Sequence, residues 1–292
     1  MTKRTHDVLF VIGLLIVPIV HFCLFWIYVN FSSISMSFIN DAGEFTLEYF
    51  AMFFDELKIP QSVISEAILN TLKYFASGMI IGIPFAYVAS YFIYKKILMY
   101  KYFRVVFFLP SIISSVILTA LYSAFIAPDG VIGQMLLSFG MKKVPVFLAD
   151  PEYATGAIMI YCLWTGPGTN LILFGGAMSR IPEEVMESAS LDGVNAFQEL
   201  WYFVIPLTIS TLITVWTLSI AGIFMASGPI LLFTQGEFGT MTLDYWIYDK
   251  VASYNQNFHY ASAVGLLFTL VGTPITLISR KFLNKLDGDV QY

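Results

Sequence analysis

The residues able to do chemistry form one informative cluster and a scatter of isolated groups. The cluster lies between Ser179 and Leu207, where Glu183, Glu184, Glu187 and Asp192 stand together beside Gly193. Pro182 suits a first helical position, and Glu183 and Glu184 suit a helix N-terminus, so a short helix is expected to run to Leu191 and stop at Gly193. Asn195 with Gln198 three residues later has the form of a capping box, which starts a second helix running toward Pro206. Two helices joined by a glycine turn, with acidic and small residues on show, make a rigid peg suited to another protein. The remaining groups carry less. His6, His21 and His259 have no ligand spacing, and Cys23 and Cys162 sit in apolar surroundings, so neither a metal site nor a disulfide framework is expected. No glycine is followed by lysine, so the phosphate-cradling Gly-Lys-Ser/Thr is missing, and no LSGGQ-like signature is present.

The elements that position this cluster are read from where charge is absent. Charged residues make up 12% of the chain, 15 Lys and Arg with 20 Asp and Glu, about half the usual share. They avoid six windows entirely: 8–29, 74–94, 105–128, 153–179, 200–236 and 251–279. An apolar stretch of about 20 residues crosses the hydrocarbon core as a helix. The expected fold is therefore all-α, a polytopic membrane protein with six transmembrane helices. The first window follows a basic head but is too long for a secretory signal and lacks a small-x-small cleavage site, so an uncleaved first span is expected. A pI near 5.2 and the lack of a basic arm exclude nucleic acid as a partner.

With six spans both termini lie on one side. Lys3, Arg4, Lys95, Lys96, Lys101, Arg104, Arg180, Arg280, Lys281 and Lys285 fall on that side, against Lys58, Lys142, Lys143 and Lys250 on the other; Lys73, at a helix start, is left out. The positive-inside rule then places both termini in the cytoplasm of a multi-pass protein of the cell membrane. Outside, FTLEYFAMFFDELKI carries apolar residues at helical spacing beside Glu48, Asp55 and Glu56, which suits an amphipathic helix capping the bundle. Several spans are interrupted, at Gly78, Gly82 and Pro84, at Leu109-Pro110-Ser111, at Thr165 to Asn170, and at Gly272-Thr273-Pro274, predicting kinks and close helix approach. The Gly166-Pro167-Gly168 break also frees backbone groups that could line a cavity. Trp164, Asn170, Trp216, Phe224 and Met225 are candidates for a solute path, since sugar rings stack on aromatics and accept hydrogen bonds from Asn, although aromatic and Met positions in a membrane bundle usually serve packing.

The string Glu187-Ser188-Ala189-Ser190-Leu191-Asp192-Gly193-Val194, followed after ten residues by Ile205-Pro206-Leu207, resembles the EAA loop of binding-protein-dependent ABC importer permeases. The family pattern is approximately E-A-A-x-x-D-G-A with a second part ending in L-P; here Ser188 and Val194 replace alanines and Ile205 replaces leucine. Asn70-Thr71-Leu72, Phe103-Arg104, Phe108-Leu109-Pro110, Trp164 and Thr242-Leu243 are similar to the carbohydrate branch, of which maltose-type permeases are examples. The resemblance implies a type I importer transmembrane domain. Residues 1–67 would form the first transmembrane helix and the outer amphipathic segment. Residues 68–279 would form a core of five transmembrane helices with the cytoplasmic loop at 180–200, and 280–292 a cytoplasmic tail. It further implies a dimer of cytoplasmic ABC ATPases carrying ATP and Mg, a second permease, related but different, and an extracytoplasmic solute-binding protein. This chain itself would bind only membrane lipid and solute, with no cofactor and no catalysis of its own. Glu184, Glu187, Ser188, Ala189, Leu191, Asp192 and Gly193 would engage the ATPase.

Two other classes fit less well. An ion-coupled secondary transporter wants buried ionisable groups, and the windows hold no Asp, Glu, Lys or Arg. A membrane-embedded enzyme wants an Asp dyad, a Ser with His, or a His/Glu cluster, and His21 and His259 lie near opposite faces. An ABC permease for a solute other than sugar stays open.

Overall fold

The computed structural model describes residues 3–252 and 256–287. These are helical almost throughout, and a single antiparallel bridge, Ile39 with Phe45, is the only strand-like pairing among them. Six helical runs are long and apolar enough to cross a membrane: Phe10–Met36, Val63–Tyr94, Ser115–Ser138, Ala154–Met178, Ala196–Ala221 and Phe258–Lys285, called spans one to six. The chain divides into two compact units, residues 1–60 with 247–270, and residues 61–246 with 271–292.

In the first unit, span one is apolar all round, and none of the residues in its most apolar window is buried among the described residues. Such a helix is stable only in lipid or against another apolar surface. The amphipathic helix appears at Glu48–Lys58 and turns Tyr49 and Phe53 inward. Phe53 meets Phe268 edge to face at 5.8 Å, and Glu56 accepts a hydrogen bond from the Tyr260 hydroxyl at 2.7 Å. His259 stacks on Tyr49 at 5.7 Å and contacts the Met36 carbonyl at 2.9 Å through Nδ1. His259 thus clasps the amphipathic helix to the end of span one.

The second unit corrects several boundaries. Pro110 does not open span three; it lies inside a separate helix, Tyr100–Ile112, and the chain breaks at Ile113 and Ser114 before span three begins at Ser115. Ser114 occupies the position where a small polar residue starts a helix. The window 200–236 is not one helix either. The helix starts earlier, at Ala196, passes Pro206, and ends at Ala221; Gly222 closes it, and an irregular stretch follows through Pro229. Pro274 interrupts nothing, because Phe258–Asp287 is continuous through it. In hydrocarbon no water replaces a lost backbone hydrogen bond, so a helix missing one bond at proline is favoured over an unwound segment missing several. Lys73, read as a helix start, is ten residues into a helix that begins at Val63.

Two other prolines are accommodated by widened turns. Pro84 and Pro206 each follow a π-helical turn, Gly78–Gly82 and Leu200–Val204. Widening the turn moves the carbonyl that the proline ring would strike and that has lost its N–H partner.

The segment that continues from the irregular stretch after span five to Leu243 is sewn to spans two and four by polar side chains. Asn70, 1% exposed, donates from Nδ2 to the carbonyls of Gly239 and Met241, each at 2.9 Å. Thr155 also donates to the Gly239 carbonyl at 2.9 Å, and the Thr71 hydroxyl accepts from the Leu243 N–H at 2.9 Å. Gly228 lies against span two and span four so closely that a Cβ there would stand 2.6 Å from Ile158 Cγ2 and 3.3 Å from the Tyr74 ring. Gly228→Ala is therefore expected to lower stability by about 1–3 kcal/mol. Thermal unfolding in detergent checks this, and an unchanged midpoint would show that the stretch shifts freely.

Candidate functional site

The acidic cluster forms the expected peg. Glu183–Leu191 is a helix with Glu183 and Glu184 in its first turn, where they complement the helix dipole. Its inward face is Val185, Met186 and Ala189; Ala189 is 1% exposed, and the other two pack on the core formed by spans two, four and five. Glu184, Glu187, Ser188, Leu191 and Asp192 face outward, and Leu191 is 89% exposed. An apolar side chain left so bare beside carboxylates suits a protein surface with an apolar pocket rimmed by bases.

Gly193 ends the helix in the left-handed region at φ +74°. The N–H of Val194 reaches the Ala189 carbonyl at 3.2 Å and that of Gly193 reaches the Ser190 carbonyl at 3.1 Å, a Schellman closure. Asn195 and Gln198 then cap the next helix reciprocally, at 2.9 and 3.0 Å. Local sequence alone specifies this turn, so the peg is held at a fixed angle to span five.

The second short helix is fastened to the end of span two by a group that the sequence reading passed over. Glu199 is buried, accepting from Lys95 Nζ at 2.9 Å and sharing the Tyr91 hydroxyl at 3.1 Å with the Ala196 carbonyl. One turn deeper, the Tyr87 hydroxyl and Thr208 Oγ1 are 2.6 Å apart. A buried carboxylate among apolar residues needs such partners, because an unpaired charge there is costly. Sequence gave one signal, an acidic residue next to an apolar run; its partner more than a hundred residues away could not be read.

A cavity of about 380 Å³ opens within the second unit, where the middle of span two meets the middle of span four. The π-helical turn Gly78–Gly82 supplies one wall and Gly166 with Pro167 another. Gly166 itself stays helical, at φ −71° and ψ −30°, and its N–H bonds the Cys162 carbonyl at 2.8 Å. What the break provides is the Leu163 carbonyl, which Pro167 has no N–H to satisfy. The polar lining is Tyr74, Ser77, Asn170, Ser219 and Ser227, with no charged side chain. The Tyr74 residue is 5% exposed, and its hydroxyl has no partner among the described residues. Neutral hydroxyl and amide groups around a void of this size can hold an uncharged polyhydroxy molecule by hydrogen bonds.

Of the five candidate path residues, the structure brings only Asn170 to this cavity. Trp164 faces a second, apolar cavity of about 640 Å³, among Tyr122, Phe125 and Tyr153. Trp216 packs on the core of spans two, four and five, with its indole N–H buried and unpartnered. Phe224 lies against Gly272, and Met225 is 73% exposed. Trp216 and Phe224 thus serve packing, whereas Trp164 and Met225 are exposed. The residues missed, Tyr74, Ser77, Ser219 and Ser227, are small or ordinary in composition, and only tertiary contact assembles them.

A family model described as binding-protein-dependent transport system inner membrane component matches residues 78–287. The lactose transport system permease protein of Rhizobium radiobacter is 28% identical over 215 residues, covering 72% of each chain. The crystal structure of a bacterial ABC transporter involved in the import of the acidic polysaccharide alginate aligns with a TM-score of 0.82 at 22% identity, over 97% of this chain and 99% of the other. The same transporter fold in complex with an alginate pentasaccharide-bound periplasmic protein aligns with a TM-score of 0.82 at 21% identity, over 98% of both chains.

Proposed function

Because this chain belongs to the family of binding-protein-dependent transport system inner membrane components, we propose that it is the permease subunit of an ATP-driven importer for a carbohydrate, using alternating access. The observation that carries this reading is the exposed acidic helix Glu183–Leu191, packed by Val185, Met186 and Ala189 onto the same spans that line a neutral hydrogen-bonding cavity. Motion of a docked ATPase would reach the bundle through that helix. Hydrolysis of ATP with Mg then takes place on the partner, and an extracytoplasmic binding protein delivers the solute. A second permease subunit completes the path. The excess of Lys and Arg in the loops that share a side with the termini supports a cytoplasmic placement of both termini and of the peg.

A carbohydrate is favoured by the uncharged lining and by the relative named for lactose. The assembled complex in proteoliposomes, with labelled oligosaccharide, its binding protein and internal or external ATP, tests the reading. ATP-dependent accumulation is the expected result; accumulation that ignores ATP and follows an ion gradient would overturn it. For the cavity, Tyr74→Phe removes a hydroxyl that no protein group satisfies, so thermal stability is expected to hold. The half-saturating solute concentration for uptake should rise about 2- to 10-fold, the effect of one hydrogen bond. Unchanged uptake kinetics would remove Tyr74 from the solute path.

A further inference from the structure

Tyr87, Tyr91 and Lys95 recur at every fourth position of span two and its end, so they form one stripe on a single helix face. Each grips a polar atom on the helical run that leaves the peg: Tyr87 pairs with Thr208, Tyr91 with the Ala196 carbonyl and Glu199, and Lys95 with Glu199. Thr208 and Glu199 also lie on that run's inward face, buried at 3% and 4% exposure. The neighbouring contacts are apolar, among them Ile83, Leu200 and Val204. Apolar contacts of this kind let one helix slide past another by a ridge at small cost, whereas directional bonds in a low dielectric fix the register.

We infer that this stripe is a transmission line: Glu199, held by Tyr91 and Lys95, makes span two move with the peg, and so carries the partner's motion to the cavity wall. The route is continuous along one helix. Tyr91 and Lys95 are at one end of span two, and Tyr74, Ser77 and the π-helical turn Gly78–Gly82 at its middle form the cavity. The three gripping residues are positioning residues; none of them lines the cavity. The inference rests on the reading of Glu183–Leu191 as the ATPase contact.

The test uses the assembled complex in proteoliposomes and reads solute taken up per ATP hydrolysed, with ATPase recovery measured alongside. Glu199→Gln keeps an acceptor for Tyr91 and loses the ion pair with Lys95. Lys95→Met with Glu199→Leu replaces the pair, of which Glu199 is buried and Lys95 reaches the surface, by apolar side chains, an exchange that commonly preserves folding. Both are expected to retain the bound, hydrolysing ATPase while uptake per ATP falls about tenfold. Lys95→Arg should match the parent ratio. An unchanged ratio in the first two variants, with uptake falling only as the amount of complex falls, overturns the transmission role and leaves docking at the peg intact. If Glu187→Ala and Gly193→Pro also leave ATPase recovery and uptake unchanged, the peg reading itself fails.

Discussion

Gly193→Pro is expected to reduce solute uptake about 100-fold, corresponding to a local penalty of about 3 kcal/mol or more at this turn. Gly193 has φ +74°, and nothing lies within 4 Å of where its Cβ would be, so a side chain as such meets no obstacle. Proline, however, is locked near −65° and has no N–H to give the Ser190 carbonyl, which Gly193 now satisfies at 3.1 Å. The peg helix and the capped helix after it could no longer meet at their present angle, and the acidic face of Glu184, Glu187 and Asp192 would be presented elsewhere. Gly193→Ala separates the causes: it keeps the N–H and costs only about 1 kcal/mol for a left-handed residue. Uptake in proteoliposomes, with recovery of the ATPase on the purified permease, measures both. Equal uptake by parent and proline variant would mean that the angle of the peg is immaterial.

Asn70→Leu is expected to cost the most in stability, about 2–4 kcal/mol. Asn70 is 1% exposed, and its amide supplies both N–H groups, to the Gly239 and Met241 carbonyls. Leucine fits the volume but leaves those carbonyls facing apolar atoms. The loss is unequal, since Thr155 still donates to the Gly239 carbonyl while the Met241 carbonyl loses the Asn70 donor. Thr155→Val should therefore cost about 1 kcal/mol, well below Asn70→Leu, because Gly239 retains Asn70. Thermal unfolding of the purified chain in detergent gives the ranking, and the reverse order would show that Asn70 is not the anchor of the stretch after span five.

Legibility in the sequence followed the range of the forces involved. Charge-free windows found six membrane-crossing helices, because the cost of burying charge acts on each segment by itself. The windows could not place helix ends. Gly222 and Pro229 lie unremarked in an apolar run that turns irregular, while Pro274, the stronger breaker on paper, leaves its helix continuous. Hydropathy is indifferent to whether an apolar segment is helical or is folded back on its neighbours. Pro110 misled for the same reason: proline signals a missing donor, and the break came three residues later, at Ile113 and Ser114.

The peg was determined by its own sequence, since the acidic first turn, the Gly193 turn and the Asn195 capping box all act within a few residues. The cavity and the stripe were decided only by tertiary structure. Tyr74, Asn170 and Ser227 meet across three segments, and Glu199 finds Lys95 from 104 residues away. Tyr87, Tyr91 and Lys95 recur at helical spacing, but spacing does not name the partner, because what selects each side chain is the polar or charged group opposite it, and that group is put in place only when the helices pack.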